Sequence, residues 1–260
     1  MRNGVDIKTR LLGFSGHYAV RRRVIVTGNM KFDAVNPRQT ASRVEELRVL
    51  FGLPPGARAL VGGSTHPGEE EALAAAYRSL LSRFPQARLI IVPRHVERAA
   101  SAAAALSSAG LRCIRKTHLD SGGARATGAP DEVILVDTVG DLVNVYGLAE
   151  VVFVGGSLIP HGGQNMLEPA ALGKPVVFGP HTFNFAFESE LLVRAGGGFR
   201  VADAEALCRR LEILYADPAS AAQAGLIAAR LIEQNKGAAA RTYEAIKPFL
   251  LDASRNKIST

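Results

Sequence analysis

Short, continuous runs of apolar residues alternate with longer helical stretches along most of the chain. The apolar runs are rich in β-branched residues and lack a polar residue at every second position, which is typical of parallel strands covered on both faces. They predict strands at residues 24–27, 59–62, 88–92, 111–115, 133–136, 151–154 and 175–178.

Helical patterns fill the intervals between these strands, at residues 42–51, 69–84, 96–109, 141–149, 165–172 and 184–195. Alternating strands and helices predict an α/β fold, a Rossmann-like open parallel sheet with right-handed crossovers. Beyond residue 200 only helices are predicted, and they form a helical C-terminal appendage at 204–216, 219–233 and 238–251.

These elements divide the 260 residues into three parts. Residues 24–235 are expected to form the Rossmann-like domain, and residues 236–260 a C-terminal helix and tail. Residues 1–23 are too few for a domain of their own. We expect them to be a disordered segment or the remnant of an inter-domain linker.

Composition narrows the class of protein. Apolar residues make up 47% of the chain, enough for a sizeable core, which excludes disordered and fibrous classes. The longest uncharged run, 151–167, is interrupted by glycines and polar residues, so no transmembrane helix is predicted. The apolar stretch 11–20 is similarly broken and does not favour a secretory signal. Cys113 and Cys208 lie 95 positions apart, without metal-ligand spacing, and are expected to be reduced in a cytosolic protein.

The formal net charge of +7 favours an anionic partner, either a phosphorylated small molecule or an anionic lipid. A nucleic-acid partner is not expected, because the only dense basic cluster is at residues 21–23, aromatic residues make up 6% and tryptophan is absent.

Three turns that follow predicted strands carry candidate chemistry, since ligands of such sheets bind beyond the carboxyl ends of the strands. The first contains Ser64, Thr65 and His66 between glycines, ahead of a helix that starts with two glutamates. The second places Arg94 where it could bind a phosphate or carboxylate. Each has a plainer alternative: an N-capping turn with an incidental histidine, and a surface ion pair with Glu97.

The third turn is the richest, with two Gly-Gly pairs between residue 155 and the helix that begins at Asn165. Asn165 is a natural N-cap and Glu168 its capping-box partner. Two Gly-Gly pairs exceed what a cap needs. A phosphate fits at a helix N-terminus, and an ionised glutamate one turn later can accept two hydrogen bonds from a ribose diol. This pattern indicates a nucleotide-sugar site.

Four segments together resemble the 3-deoxy-D-manno-octulosonic acid (Kdo) transferases of lipopolysaccharide synthesis. The resemblance follows the same order over most of residues 24–250, and it rests on residues 26–33, 64–70, 93–98 and 155–180. It implies a GT-B glycosyltransferase that transfers Kdo from CMP-Kdo to a lipid A precursor, inverts the anomeric centre, and uses no metal and no other cofactor. This chain would be the carboxyl-terminal, donor-binding half.

The resemblance also implies roles for individual residues. Ser64, Thr65 and His66 would line the donor site, and Arg94 would contact the phosphate or the sugar carboxylate. Gly156 and Ser157, with the helix end at Asn165, would hold phosphate, and Glu168 would take the ribose hydroxyls. Lys31 would lie near an inter-domain cleft, and Asp141 would touch the nucleotide.

The chain departs from the family pattern at four positions: Asp141 replaces the usual Glu, Gln164 a His, Met166 a Pro and Glu150 an Asp. The larger departure concerns the amino-terminal domain, which in the family binds the acceptor and supplies a glutamate general base. Only 23 residues precede the first predicted strand here, too few for such a domain. We therefore assign no catalytic residue to this chain and expect the base in an acceptor domain or partner chain. The protein is expected in the cytoplasm and, if joined to such a domain, peripheral at the cytoplasmic face of the inner membrane.

Alternatives remain open at this point. The chain could represent a late-starting reading frame, one half of a split gene or an isolated domain. Its function could instead be that of a non-catalytic nucleotide-sugar-binding module, or of another GT-B enzyme such as a UDP-sugar transferase or epimerase.

Overall fold

The computed structural model describes residues 25–35 and 41–255, which group into two compact units. The larger unit covers the described residues between 35 and 234 and contains a seven-stranded sheet. Its strands are β1 (Arg58–Thr65), β2 (Ala87–Pro93), β3 (Arg112–Arg115), β4 (Glu132–Leu135), β5 (Ala149–Val154), β6 (Val176–Phe178) and β7 (Gly198–Arg200).

All neighbouring strands pair in parallel, in the order β3-β4-β2-β1-β5-β6-β7. Helix α1 (Ala41–Leu50) precedes β1, and the strands are linked by α2 (Glu69–Arg83), α3 (Ala99–Ser108), α4 (Lys116–Asp120), α5 (Leu142–Leu148), α6 (Leu167–Ala171) and α7 (Ala186–Ala195). Two further helices, α8 (Ala204–Ala216) and α9 (Pro218–Asn235), follow the last strand. The predicted α/β class with a parallel sheet is confirmed.

The core of this unit lies between the sheet and its helices. Leu73 and Tyr77 of α2 are fully buried against Leu60 of β1 and Ile91 of β2. Both faces of the central strands are covered, which explains their unbroken apolar sequences. Burial of each large apolar side chain contributes about 1.5 to 3 kcal/mol. This packing stabilises the sheet, which in turn fixes the positions of the turns at the carboxyl ends of its strands.

The smaller unit consists of residues 25–34 and 235–255. It contains a short 3₁₀ helix (Met30–Phe32) and α10 (Ala238–Arg255). The Asp33 carboxylate accepts hydrogen bonds from the backbone N–H groups of Gly237 and Ala239, the latter at 2.7 Å, and these bonds lower its pKa. Asp33 thus satisfies donors in the first turn of α10 that the helix itself leaves unpaired.

Six of the seven predicted strands are confirmed. The strand predicted at residues 24–27 is wrong in its described part, 25–27. Residues 25–27 form no strand, and Ile25 and Val26 are exposed, with no described strand beside them. Val24 and the predicted segment 1–23 lie outside the described residues. The predicted boundaries at 24–235 and 236–260 stay a prediction, although contacts group residues 25–34 with α10.

Candidate functional site

The order of strands reverses at the boundary between β1 and β5. Strands β2, β4 and β3 lie, in this spatial order, on one side of β1. The chain then crosses over, and β5, β6 and β7 lie on the other side. Gly63 pairs with Val154, and the N–H of Gly155 donates to the carbonyl of Gly63 at 2.8 Å. Such a reversal leaves a crevice beyond the carboxyl ends of the strands, the usual ligand site of open α/β sheets.

The backbone is constrained where β1 ends. Ser64 has a φ of +53°, in the left-handed region that residues other than glycine rarely adopt. Gly155 lies directly beside it, and a Cβ there would be 2.3 Å from the carbonyl oxygen of Ser64, so a larger residue does not fit. Strained backbone of this kind collects at functional sites. The Ser64 hydroxyl forms no hydrogen bond to another described residue and is available to a ligand.

Thr65 stabilises the turn through hydrogen bonds within the protein. Its hydroxyl donates to Glu70 at 2.9 Å, and Arg98 donates to both oxygens of the same carboxylate, at 3.0 and 3.3 Å. Arg98 also donates to the carbonyl of Thr65 at 3.2 Å. Thr65 and Glu70 are almost completely buried. The Thr65 hydroxyl is therefore engaged inside the protein and is not free to donate to a ligand.

Glu69 joins the turns that follow β1 and β5. Its Oε1 accepts from the N–H groups of Ser157 and Leu158, at 2.9 and 3.0 Å. Its Oε2 accepts from Gly156 at 2.7 Å and His66 at 3.0 Å. Burial raises the pKa of this fully buried carboxyl, but four N–H donors favour the ionised form. An internal carboxylate thus fills the row of backbone N–H groups that could otherwise hold an anion.

Gly156 and Ser157 consequently offer less to a phosphate than the sequence suggested. Their N–H groups donate to Glu69, and the Ser157 hydroxyl donates to the carbonyl of Val154 and accepts from the N–H of Gly179. Ser157 is fully buried. This geometry leaves Ser157 no free donor for the predicted phosphate contact.

His66 lies at the centre of a histidine cluster. Its ring stacks on that of His161, with centroids 4.5 Å apart, and meets His95 edge-on at 6.2 Å. The amide nitrogen of Gln164 lies 3.4 Å from Nε2 of His66. An amide nitrogen can only donate, so this pair requires an unprotonated Nε2 on His66.

Burial and positive neighbours keep His66 neutral. Burial, followed by the charges of His161, Arg98, His95 and Arg94, lowers its pKa to about 4. These five residues come from the turns after β1, β2 and β5. The guanidinium groups of Arg94 and Arg98 make this part of the crevice electropositive, a property that favours an anionic ligand.

Arg94 is the exposed cation of this group. It follows β2 directly, and its N–H donates to the carbonyl of Thr65 at 3.0 Å. Its guanidinium forms no ion pair with another described residue, so the surface pair with Glu97 is not observed. The guanidinium is therefore available to bind a phosphate or carboxylate in the bidentate manner typical of arginine.

Glu168 and Asn165 lie on the other side of the Gly-rich turn. The Asn165 amide donates to Oε1 of Glu168 at 2.9 Å and accepts from the N–H of Leu167 at 3.1 Å. The predicted N-cap is wrong by one residue, because Met166 occupies that position. Burial raises the pKa of the half-buried Glu168 carboxyl. Its Oε2 has no hydrogen-bond partner among the described residues, which leaves acceptor capacity for a ligand.

Two other predicted site residues, Asp141 and Lys31, belong to other parts of the structure. Asp141 follows β4, which β2 separates from β1, and pairs with Lys116 at 3.2 Å and the Thr138 hydroxyl at 2.7 Å. These partners lower its pKa despite partial burial. Lys31 belongs to the smaller unit, in the 3₁₀ helix. Its predicted place near a cleft stays a prediction.

Sequence reasoning missed several residues that shape the site. Glu69 and Glu70 were visible as a pair in the first turn of a helix, which explained them as partners of the helix dipole. Nothing in the pattern showed that both are buried. His161 and Arg98 fall within the segments 155–180 and 93–98, but their positions predict no role, because their contacts join turns that follow different strands.

Residues 25–35 and 41–255 contain no group of three or more His, Cys, Asp or Glu side chains arranged to hold a metal ion. Within the same ranges, each helix is too short or too polar to cross a membrane.

No protein-family model matches the chain. Curated relatives do match it. It is 34% identical over 231 residues to a 3-deoxy-D-manno-octulosonic acid transferase of Haemophilus influenzae, covering 88% of this chain and 52% of the relative. It is 35% identical over 230 residues to the enzyme of that name from Bordetella pertussis, covering 86% and 51%. The chain thus spans about half the length of these relatives.

Solved structures agree with this relationship. The carboxyl-terminal CMP-Kdo-binding domain of WaaA from Acinetobacter baumannii is 28% identical, with a TM-score of 0.64 over 78% of this chain and 99% of that domain. A glycosyltransferase from Rickettsia africae, at 15% identity and a TM-score of 0.59, covers 94% of this chain and 60% of its own length. The second likeness shows the fold alone. Over most of its length the chain is homologous to 3-deoxy-D-manno-octulosonic acid transferases, and its sheet corresponds to the carboxyl-terminal domain of GT-B glycosyltransferases.

Proposed function

We propose that this chain binds CMP-Kdo and supplies the donor-binding half of a transfer of Kdo to a phosphorylated lipid A precursor. One observation carries the proposal. In the crevice at β1 and β5, Glu168 is a half-buried carboxylate with free acceptor capacity, and Arg94 is an exposed cation next to the neutral His66. A nucleoside monophosphate needs both features, an acceptor for its ribose and cations for its phosphate.

The ribose would bind at Glu168. Asn165 already fixes Oε1, so the carboxylate is held in one orientation before a ligand arrives. Ribose hydroxyls are donors, and donation to a carboxylate is stronger than donation to a neutral acceptor. The diol of CMP would complete the bonding of Glu168 within the crevice.

The charged groups of the donor would bind at the cations. CMP-Kdo carries a phosphate and a sugar carboxylate. Arg94 offers an exposed guanidinium, and the Ser64 hydroxyl is a free donor close by in the same pair of turns. With the backbone N–H groups of the β5 turn engaged by Glu69, side-chain donors would do most of this work. We further propose that binding is independent of a metal ion and needs no other cofactor.

The transfer itself requires more than donor binding. A base must accept the proton of the acceptor hydroxyl as it attacks the anomeric carbon, while CMP leaves with the bonding electrons. We propose that this base and the glycolipid site belong to an acceptor domain or partner chain, since the relatives named as transferases are about twice as long as the matched region. The reaction would then take place at the cytoplasmic face of the inner membrane.

Calorimetric titration of the purified chain with CMP and with UDP tests the donor. CMP is expected to bind more tightly than UDP, and EDTA is expected to leave its affinity unchanged. A clear preference for UDP would overturn the proposal and favour another GT-B enzyme.

A transfer assay tests the second half of the proposal. The chain alone is expected to transfer no Kdo to lipid A precursor, and adding the amino-terminal half of the Haemophilus influenzae relative is expected to produce transfer. Binding of CMP-Kdo without transfer in either mixture would favour a nucleotide-sugar-binding module instead.

A further inference from the structure

Phe183 is an exposed aromatic residue beside the Gly-rich turn that follows β5. It opens the 3₁₀ helix Phe183–Phe185 after β6, and 65% of its surface is exposed. Among the described phenylalanines and tyrosines of the larger unit, only Phe183 and Phe187 are exposed. A single exposed apolar residue needs no explanation by itself. What distinguishes Phe183 is how firmly it is held.

The ring of Phe183 rests on the Gly-rich turn. A Cβ on Gly162 would lie 2.4 Å from Cε2 of Phe183, so the ring occupies the space that a side chain at 162 would need. The next residue fixes the arrangement: the Asn184 N–H donates to the carbonyl of Gly162 at 3.0 Å, and its amide donates to the carbonyl of His161 at 3.1 Å. One side of the ring is thus supported, and the rest is open to solvent.

This position adjoins the proposed phosphate site. His161 lies one residue before Gly162, and its ring stacks on His66. The same turn leads in the other direction, through Gln164 and Asn165, to Glu168. A donor with its ribose at Glu168 and its phosphate near Arg94 and the histidine cluster would bring its sugar towards the part of the turn on which Phe183 packs.

A sugar joined to that phosphate would meet an aromatic surface. One face of a pyranose ring carries mostly C–H groups, which pack well on a flat apolar ring. The nucleotide without its sugar would make no such contact. A contact with Phe183 would therefore distinguish the nucleotide-sugar from the nucleotide alone.

We propose that Phe183 is a specificity-determining residue that packs its exposed ring against the sugar of the nucleotide-sugar donor. This inference rests on the proposed donor function. It makes the residue responsible for the difference in affinity between CMP-Kdo and CMP, and gives it no part in binding the nucleotide.

The test compares both ligands on the full chain. Phe183→Leu removes the ring but keeps apolar volume, Phe183→Tyr keeps the ring, and Phe249→Leu alters an exposed phenylalanine of the smaller unit as the matched control. Thermal unfolding checks that all three variants fold. Calorimetry with CMP and with freshly prepared CMP-Kdo then gives the two affinities.

Phe183→Leu is expected to weaken CMP-Kdo binding about three- to tenfold and leave CMP binding unchanged. Phe183→Tyr and Phe249→Leu are expected to match the unaltered chain. Equal weakening of both ligands, or no change in either, would overturn the role of Phe183 and leave the proposed function standing. If the unaltered chain binds neither CMP nor CMP-Kdo, both the proposed function and this inference fail.

Discussion

The carboxylate of Glu69 lies 2.7 Å from the backbone nitrogen of Gly156. This bond connects the helix start after β1 with the turn after β5, at the point where the two strands are neighbours. Two more N–H groups of the β5 turn donate to the same carboxylate. The shape of the crevice therefore depends on a side chain that no ligand needs to touch.

Glu69→Gln is expected to lower the free energy of unfolding by about 2 to 4 kcal/mol, because one amide nitrogen would face N–H groups that now have an acceptor. Chemical denaturation measures the change. Glu71→Gln is the control, since Glu71 is exposed and accepts one bond, from the N–H of Gly68 at 2.9 Å. If both variants lose equally little stability, the buried bonds of Glu69 contribute far less than their number indicates.

Glu168→Ala is expected to weaken CMP binding by about 1 to 3 kcal/mol through lost charged hydrogen bonds. Calorimetry at neutral pH gives the affinity. Glu190→Ala provides a comparison on an exposed carboxylate that pairs with Arg194 at the surface. Unchanged affinity in Glu168→Ala would remove Glu168 from the ribose site.

Glu168→Gln is expected to raise the melting temperature of the ligand-free chain at pH 7 while it weakens CMP binding. Burial raises the pKa of Glu168 above its ordinary value of 4.5, so ionisation at neutral pH costs stability. Below pH 4.5 the carboxyl is protonated in both folded and unfolded chains, and this advantage of glutamine should vanish. A higher melting temperature that persists unchanged at pH 4 would contradict this account.

The stability of the chain is expected to fall between pH 6.5 and 4 in part because of His66. Its pKa is about 4 in the folded protein against an ordinary value of 6.5, so protons bind the unfolded chain first. The contribution of His66 is complete above pH 6.5 and is lost as the pH falls through 4. His66→Gln should flatten this part of the curve of unfolding free energy against pH, whereas an unaltered slope would exclude His66 as its source.

Arg94→Ala is expected to weaken CMP binding about tenfold without a measurable loss of stability, because its guanidinium has no ion-pair partner among the described residues. Arg230→Ala, on the exposed surface of α9, serves as the control. The affinity of the Arg94 variant should also depend less on salt concentration. If both arginine variants bind CMP alike, Arg94 does not contact the phosphate.

The alternation of apolar runs with helical stretches was sufficient to predict the parallel sheet. Most of its strands carry unbroken apolar runs because both of their faces are covered, whereas the edge strand β3 is partly exposed and holds two arginines. β7 was missed because Gly198–Arg200 is three residues long and has no such run. The run at 24–27 was misassigned for the opposite reason, since an apolar sequence alone does not show whether a neighbouring strand exists to pair with it.

The candidate site was predictable as a set of turns but not as a set of contacts. Spacing placed Ser64, Arg94 and Glu168 after strands or on a helix start, and the parallel sheet brings their turns to one edge. The N–H of Ser157 donates to Glu69, 88 positions away, and the Ser157 hydroxyl accepts from the N–H of Gly179, 22 positions away. Local patterns carry no information on such pairs, so hydroxyls expected to face a ligand are bonded inside the protein.

The internal anion at Glu69 has a kinetic consequence. The wall of the crevice is ordered by folding itself, so no loop has to be arranged when a ligand arrives, and the entropy of ordering is not subtracted from the binding energy. Association should then be governed by diffusion and electrostatic attraction, and stopped-flow traces with CMP should show a single phase whose rate rises linearly with ligand concentration.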